Sequence, residues 1–187
     1  MKKFSIVLAP IAIFAAAAPA HAEGFRVELH TGADHVSADG DGETGIMYGI
    51  GLGYDFAVTD RLELGLDLSA DLASTDGCEN SAIVASDRAC IDARRDLAAA
   101  LRVGYKVSEA GTIYGLAGYS NARFRAAYTT PAGVTTRDSA NFDGFRLGAG
   151  YQHGFGERTY GKVEYRYSNY ENDLSRHQVL LGVGLKF

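Results

Sequence analysis

The amino-acid sequence predicts an all-β chain: an eight-stranded antiparallel up-and-down transmembrane β-barrel over residues 23–187, preceded by a cleaved signal peptide over residues 1–22. Three observations lead there. Apolar and polar residues alternate with a period of two in eight successive runs. The apolar faces of those runs hold no Asp, Glu, Lys or Arg, although these residues make up 22% of the chain. No stretch after the leader approaches the roughly 18 consecutive apolar residues of a spanning helix.

The leader has Lys2 and Lys3 at its start, an apolar run from Ile6 to Ala18, and the small-x-small cleavage pattern Ala20-His21-Ala22. Its apolar run is short of the roughly 20 residues a helix needs to cross a bilayer. The mature chain is therefore expected to begin at Glu23. Losing Lys2 and Lys3 takes the net charge from −5 to −7, so nucleic acid is not an expected partner: binding phosphates needs a basic patch. With 23 Gly, 11 Tyr, 9 Phe and only 3 Pro, the composition suits sheet.

Taken in order, the first run sets Phe25, Val27, Leu29, Thr31 and Ala33 against Arg26, Glu28, His30, Gly32 and Asp34. The second sets Ile46, Tyr48, Ile50, Leu52, Tyr54 and Phe56 against Met47, three glycines and Asp55. The third is the clearest, with Leu62, Leu64, Leu66, Leu68, Ala70 and Leu72 alternating with Glu63, Gly65, Asp67, Ser69 and Asp71. The fourth has Leu97, Ala99, Leu101, Val103, Tyr105 and Val107 against Asp96, Ala98, Ala100, Arg102, Gly104 and Lys106. In the fifth, Tyr114, Leu116, Gly118, Ser120, Ala122 and Phe124 form the outward face, with Gly115, Ala117, Tyr119, Asn121, Arg123 and Arg125 inside. The sixth turns Phe145, Leu147, Ala149, Tyr151 and His153 outward and Arg146, Gly148, Gly150 and Gln152 inward. The seventh turns Val163, Tyr165 and Tyr167 outward and Lys162, Glu164, Arg166 and Ser168 inward. The eighth runs from His177 through Val179, Leu181, Val183 and Leu185 to Phe187, against Gln178, Leu180, Gly182, Gly184 and Lys186.

The polar faces decide between lipid and water. They hold long cations and anions in near balance, which an enclosed interior requires because an unpaired buried charge costs several kcal/mol, on the order-of-magnitude scale for buried ions. The expected lumen network comprises Arg26, Glu28, Glu63, Asp67, Asp71, Asp96, Arg102, Arg123, Arg125, Arg146, Lys162, Glu164 and Arg166. Eight strands leave an interior just wide enough for its own side chains, so a plugged barrel is expected over an open pore. Tyr54, Phe56, Tyr105, Tyr114, Tyr151 and Phe187 fall toward one rim, and Tyr48, Phe124, Phe145 and Tyr167 toward the other, as two interfacial girdles. Short turns near residues 59–60, 108–111 and 154–157 alternate with long loops at about 35–43, 73–93 and 127–141 and a modest connection at about 170–175.

Few residues suggest chemistry. Cys78 and Cys90, the two cysteines of an exported chain, are expected to form one disulfide, worth roughly 2–4 kcal/mol and holding the longest loop compact. Asp39, Asp41 and Glu43 offer carboxylates on flexible backbone, but without the full ligand spacing of a calcium loop they read as a solvated acidic loop. Ser175 and His177 share a face near a rim, yet no third group on that face would orient the base, so no catalytic residue is assigned. No cofactor or metal is expected.

The segment Lys162-Val-Glu-Tyr-Arg-Tyr167 and the closing Val179-Leu-Leu-Gly-Val-Gly-Leu-Lys-Phe187 resemble the small outer-membrane β-barrels of the porin-like, OmpA/OmpX type. The resemblance implies an integral protein of a bacterial outer membrane. It also implies that Leu181, Val183, Leu185 and Phe187 are read by the barrel-assembly machinery. The expectation is a non-enzymatic barrel with a structural or surface-interaction role, its partners outer-membrane lipids and lipopolysaccharide and an unidentified extracellular ligand. A narrow porin and, behind it, a lipid A-modifying enzyme are the alternatives.

Overall fold

A computed structural model describes residues 24–38, 41–171 and 174–187; the expected leader, residues 1–22, lies outside them. The described chain is built of nine strands: β1 (Gly24–Ala38), β2 (Asp41–Ala57), β3 (Leu62–Ala73), β4 (Asp76–Asn80), β5 (Arg88–Lys106), β6 (Gly111–Thr129), β7 (Thr135–Gly154), β8 (Thr159–Tyr170) and β9 (Ser175–Lys186).

The order β3-β2-β1-β9-β8-β7-β6-β5 closes through a further β3–β5 pairing, so eight antiparallel staves form a barrel. The short β4 is the ninth strand. It follows β3 along the same edge of β5, with Cys78 opposite Cys90. First and last strands meet in register, Arg26 against Lys186, and the Phe187 amide donates to the Phe25 carbonyl at 3.0 Å. Closure leaves no unpaired sheet edge at membrane depth, and lipid demands this of any strand-built span.

The three short turns gather at the end that holds residues 24 and 187, as up-and-down topology requires. At the other end the expected long loops are largely strand. β1 and β2 run on to Ala38 and Asp41, and β6 and β7 pair as far as Thr129 and Thr135. In the 73–93 segment β4 pairs with the start of β5. The alternation weakens there because both faces meet water, so periodicity no longer marks a strand that hydrogen bonding still builds.

Seven of the eight predicted faces point as read. Leu101 is 66% exposed, Leu181 65% and Ile50 53%, while Arg26, Asp55, Asp71 and Arg146 are buried. The fifth run is inverted. Tyr114, Leu116, Ser120, Ala122 and Phe124 are buried inside β6, and Ile113, Ala117, Tyr119, Arg123 and Arg125 face outward. Arg123 and Arg125 therefore leave the lumen, and Tyr114 and Phe124 leave the girdles, where Ile113 and Tyr119 stand instead. The physical reason is that β6 outruns the hydrocarbon. A rule that keeps charge off the lipid face holds only over the spanning part, and both arginines lie beyond it.

The orientation sets a direct test. Leu101→Arg, on the outward face of β5 midway between Leu97 and Tyr105, is expected to cost about 2–4 kcal/mol in reversible urea unfolding from phospholipid vesicles. A change within about 0.5 kcal/mol, the size usual for a surface site, would contradict burial of this face in lipid.

Candidate functional site

Side chains fill the barrel interior in layers. Nearest the short turns, Arg26 places Nε 2.7 Å from Asp55 and Nη2 3.1 Å from Asp67. Asp55 also takes Arg102 at 3.0 Å, Arg102 donates to Gln152 at 3.2 Å, and Lys106 lies 3.1 Å from Glu63. Arg26 fits because it lies against Gly53, where a Cβ would come within 2.5 Å of its guanidinium.

The middle layer centres on two glutamates. Glu28 takes Lys162 at 2.5 Å and the Tyr160 hydroxyl at 3.0 Å. Glu164 takes Lys162 at 3.0 Å, the Tyr114 hydroxyl at 2.5 Å and the Arg166 guanidinium. Tyr114 passes over Gly150, where a Cβ would stand 2.5 Å from its hydroxyl. His30 bridges Asp71 at 2.6 Å and Glu28 at 3.3 Å, and Arg166 reaches Asp71 at 3.1 Å.

In the upper layer Asp96 sits between Arg146 and Arg176, the latter at 3.0 Å, and accepts from Ser120 at 2.6 Å and Tyr170 at 3.1 Å. Arg176 also grips Asp34 with two nitrogens, at 2.5 and 2.9 Å. Gln178 and Thr75 donate to the same carboxylate. An apolar cap of Ala93, Ala122, Phe124 and Tyr170, packed with Val36, Phe142 and Leu174, overlies these ions.

Of the predicted network, the structure brings together Arg26, Glu28, Asp67, Asp71, Asp96, Arg102, Arg146, Lys162, Glu164 and Arg166, and sets Glu63 beside Lys106. It excludes Arg123, which donates to Ser139 at 2.8 Å on the outer face, and Arg125, which is exposed. Arg176 takes their place, a residue that falls between the connection at about 170–175 and the eighth run and belongs to neither in the sequence reading. Its signal was available: Arg176 continues the polar period of Gln178, Leu180 and Gly182 by one step. Tyr114 is also a donor that the period-two pattern hides, because a tyrosine reads there as apolar, and Tyr160 and Tyr170 fall outside the eight runs. Among the described residues, the free space between Glu28, Asp67, Arg146, Glu164 and Arg166 is about 20 Å³, room for a water or so.

The remaining candidates are simply placed. Cys78 and Cys90 are bonded across β4 and β5. Leu181, Val183, Leu185 and Phe187 line the outward face of the last strand. Ser175 lies opposite Asn169 and Ser37, and His177 has its Nδ1 2.6 Å from the Tyr165 hydroxyl, a phenol where a hydrolase would need a carboxylate. Asp39 lies outside the described residues, and no group of three or more metal-ligating side chains occurs among those described.

Beyond the membrane, Asp87 organises the segment between β4 and β5. One of its oxygens accepts from the amides of Val84 at 2.9 Å and Ile83 at 3.0 Å and from the Tyr128 hydroxyl at 2.9 Å. Burial opposes its ionisation, but these donors prevail and hold the carboxyl below the usual aspartate range. What Asp87 contributes is therefore complete above the free aspartate pKa of about 3.9 and is lost only as pH falls through the lower folded value. The Ile83 and Val84 amide resonances should titrate together with a midpoint below about 3.9, and Asp87→Asn should abolish that step. A midpoint at or above that value would overturn the assignment. In the lumen, Asp96→Ala leaves two buried guanidiniums without the carboxylate between them and is expected to cost about 3–5 kcal/mol in the same urea unfolding.

Comparison with solved structures agrees with this geometry. The chain is similar to Ail, the attachment invasion locus protein of Yersinia pestis, solved in complex with the heparin analogue sucrose octasulfate: TM-score 0.61, 16% identity, 88% of this chain and 99% of that one. It is similar to Neisserial surface protein A, with TM-score 0.59, 15% identity, and 87% and 97% of the two chains covered. A major outer membrane protein from Thermus thermophilus gives TM-score 0.59 at 14% identity, over 89% and 100% of the two chains. Compared with curated protein sequences, the chain has no match. Residues 6–187 match the outer membrane protein beta-barrel domain family, and the chain belongs to that family as an integral protein of the bacterial outer membrane.

Proposed function

We propose that this barrel is a non-conducting, non-enzymatic component of the outer membrane that works through its extracellular end. The observation that carries the reading is the lumen. Its ions are paired between neighbouring strands, as in Arg26 with Asp55, and across opposite walls, as in Arg166 of β8 with Asp71 of β3, and an apolar cap lies above them. An ion entering would have to displace these pairs, and removing one partner of a buried pair costs about 3–5 kcal/mol. The strands that continue past the girdle on the loop side form a stiff surface, braced by the Cys78–Cys90 bond. The chain shares its fold with Ail, a protein solved in complex with the heparin analogue sucrose octasulfate, and a surface role is in keeping with that likeness.

A narrow cation-selective porin is the competing reading, resting on Glu63 and Asp67 near the short-turn end of the lumen. The refolded protein in a planar bilayer is expected to give no single-channel steps. Discrete steps whose cation selectivity falls on Asp67→Asn or Glu63→Gln would establish the porin. Mass spectra of lipid A from expressing cells should match those of the parent strain. A new species that disappears in Ser175→Ala and His177→Ala would establish an enzyme.

A further inference from the structure

We propose that the outward face of β5, β6 and β7, just past the girdle on the loop side, binds the phosphate groups of lipopolysaccharide in the surrounding outer leaflet. The inference deepens the surface reading by naming a partner, and it does not depend on whether the lumen conducts.

The face begins at a β-bulge. Pairing between β5 and β6 slips between Ala93 and Arg95, so Ala93 stays inward opposite Phe124 while Arg95 stands outward opposite Arg123. The extra residue, Arg94, is exposed beside them and reaches Asp92 at 3.2 Å. Like charges directly opposite on neighbouring strands destabilise a sheet, yet among the described residues the side chains that Arg95 and Arg123 donate to are neutral, Asn121 and Ser139. The buried Nε of Arg95 has no hydrogen-bond partner among the described residues. One step further, Arg94, Arg125 and Arg137 line an open groove of about 590 Å³, with Asp92 as its one acidic side chain. Arg125 and Arg137 are exposed, and neither forms an ion pair among the described residues. Five guanidiniums thus gather on one face of a chain whose net charge is −5.

Position selects the ligand. Arg123 and Arg125 continue the outward side of β6 on which Tyr119 marks the interface, so they look sideways into the leaflet and not upward into solvent. Arg123 lies four residues past Tyr119, about 13 Å along the strand at roughly 3.3 Å per residue and nearer 10 Å along the membrane normal after strand tilt. An arginine at that height reaches the headgroup layer, its stem lying along the strands and its planar fork matched to phosphate oxygens. A soluble polyanion would meet this face only by displacing the lipid beside it.

The test uses the refolded barrel in detergent. Native mass spectrometry would count bound rough-type lipopolysaccharide, in parallel with the same lipopolysaccharide after enzymatic dephosphorylation. The wild-type chain is expected to retain the phosphorylated form and to lose at least about tenfold in affinity for the dephosphorylated one, the usual scale for removing charge-assisted hydrogen bonds. The triple variant Arg94→Ala, Arg123→Ala, Arg125→Ala should lose at least as much. A second set carrying Gln at the same positions guards against effects of truncation, and Arg61→Ala, at the opposite rim, should bind as wild type. Heat-dependent gel mobility and bilayer conductance of each sample report folding and the state of the lumen separately from this site. Binding that is indifferent to phosphate, or triple variants within about twofold of wild type, would overturn the proposal. So would retention of sucrose octasulfate without lipopolysaccharide, which would assign the face to a soluble sulfated saccharide.

Discussion

Lipid offers a polypeptide backbone no hydrogen bonds, and most of what is distinctive here follows from how the chain meets that constraint. Pairing β1 with β9, and β3 with β5, removes every edge at membrane depth. A closed sheet of eight staves then has a narrow interior with no room for bulk water. Each stave alternates, so an oily outside forces a polar inside. Polar groups without water must satisfy one another, and the ion pairs running from Arg26 to Arg176 follow from closure.

This interior links stability to function. Eight carboxylates (Glu28, Asp34, Asp55, Glu63, Asp67, Asp71, Asp96 and Glu164) face eight basic side chains (Arg26, Arg102, Lys106, Arg146, Lys162, Arg166, Arg176 and Lys186), with His30 between two of the acids. Tyr114, Tyr160 and Tyr170 take up lone pairs that the cations leave open. Such a network is costly to break at any single point and correspondingly slow to rearrange, which suits a sealed cylinder better than a conduit. Its apolar cap marks a change of rule, for at that level the inside of the sheet is oily and the outside carries guanidiniums. The same strands thus serve as a membrane anchor below and a charged surface above.

How far the sequence could be read depends on where each strand meets lipid. In β3 leucine alternates with acid or glycine across the whole span, and one register alone keeps charge out of hydrocarbon. In β6 the spanning part offers Ile113, Ala117 and Tyr119 on one side and Tyr114 and Leu116 on the other, so hydrophobicity separates the faces poorly. Arg123 and Arg125 tip the balance toward the inverted register, because charge is barred from lipid, yet both lie above it. Arg176 was overlooked for the mirror-image reason: it sits near a connection in sequence but beneath the cap in space.

The sequence by itself determined the architecture: the eight staves of the barrel, the outward faces of seven of them, the pairing of the two cysteines and most of the interior ions. A period of two against a uniform solvent is a local signal repeated many times. Only the tertiary structure decided which way β6 faces, that Arg176 closes the upper layer, and that five arginines meet on one outer face. Those depend on where the membrane ends along each strand and on register between strands far apart in the chain. Neither quantity is written in the local alternation of residues.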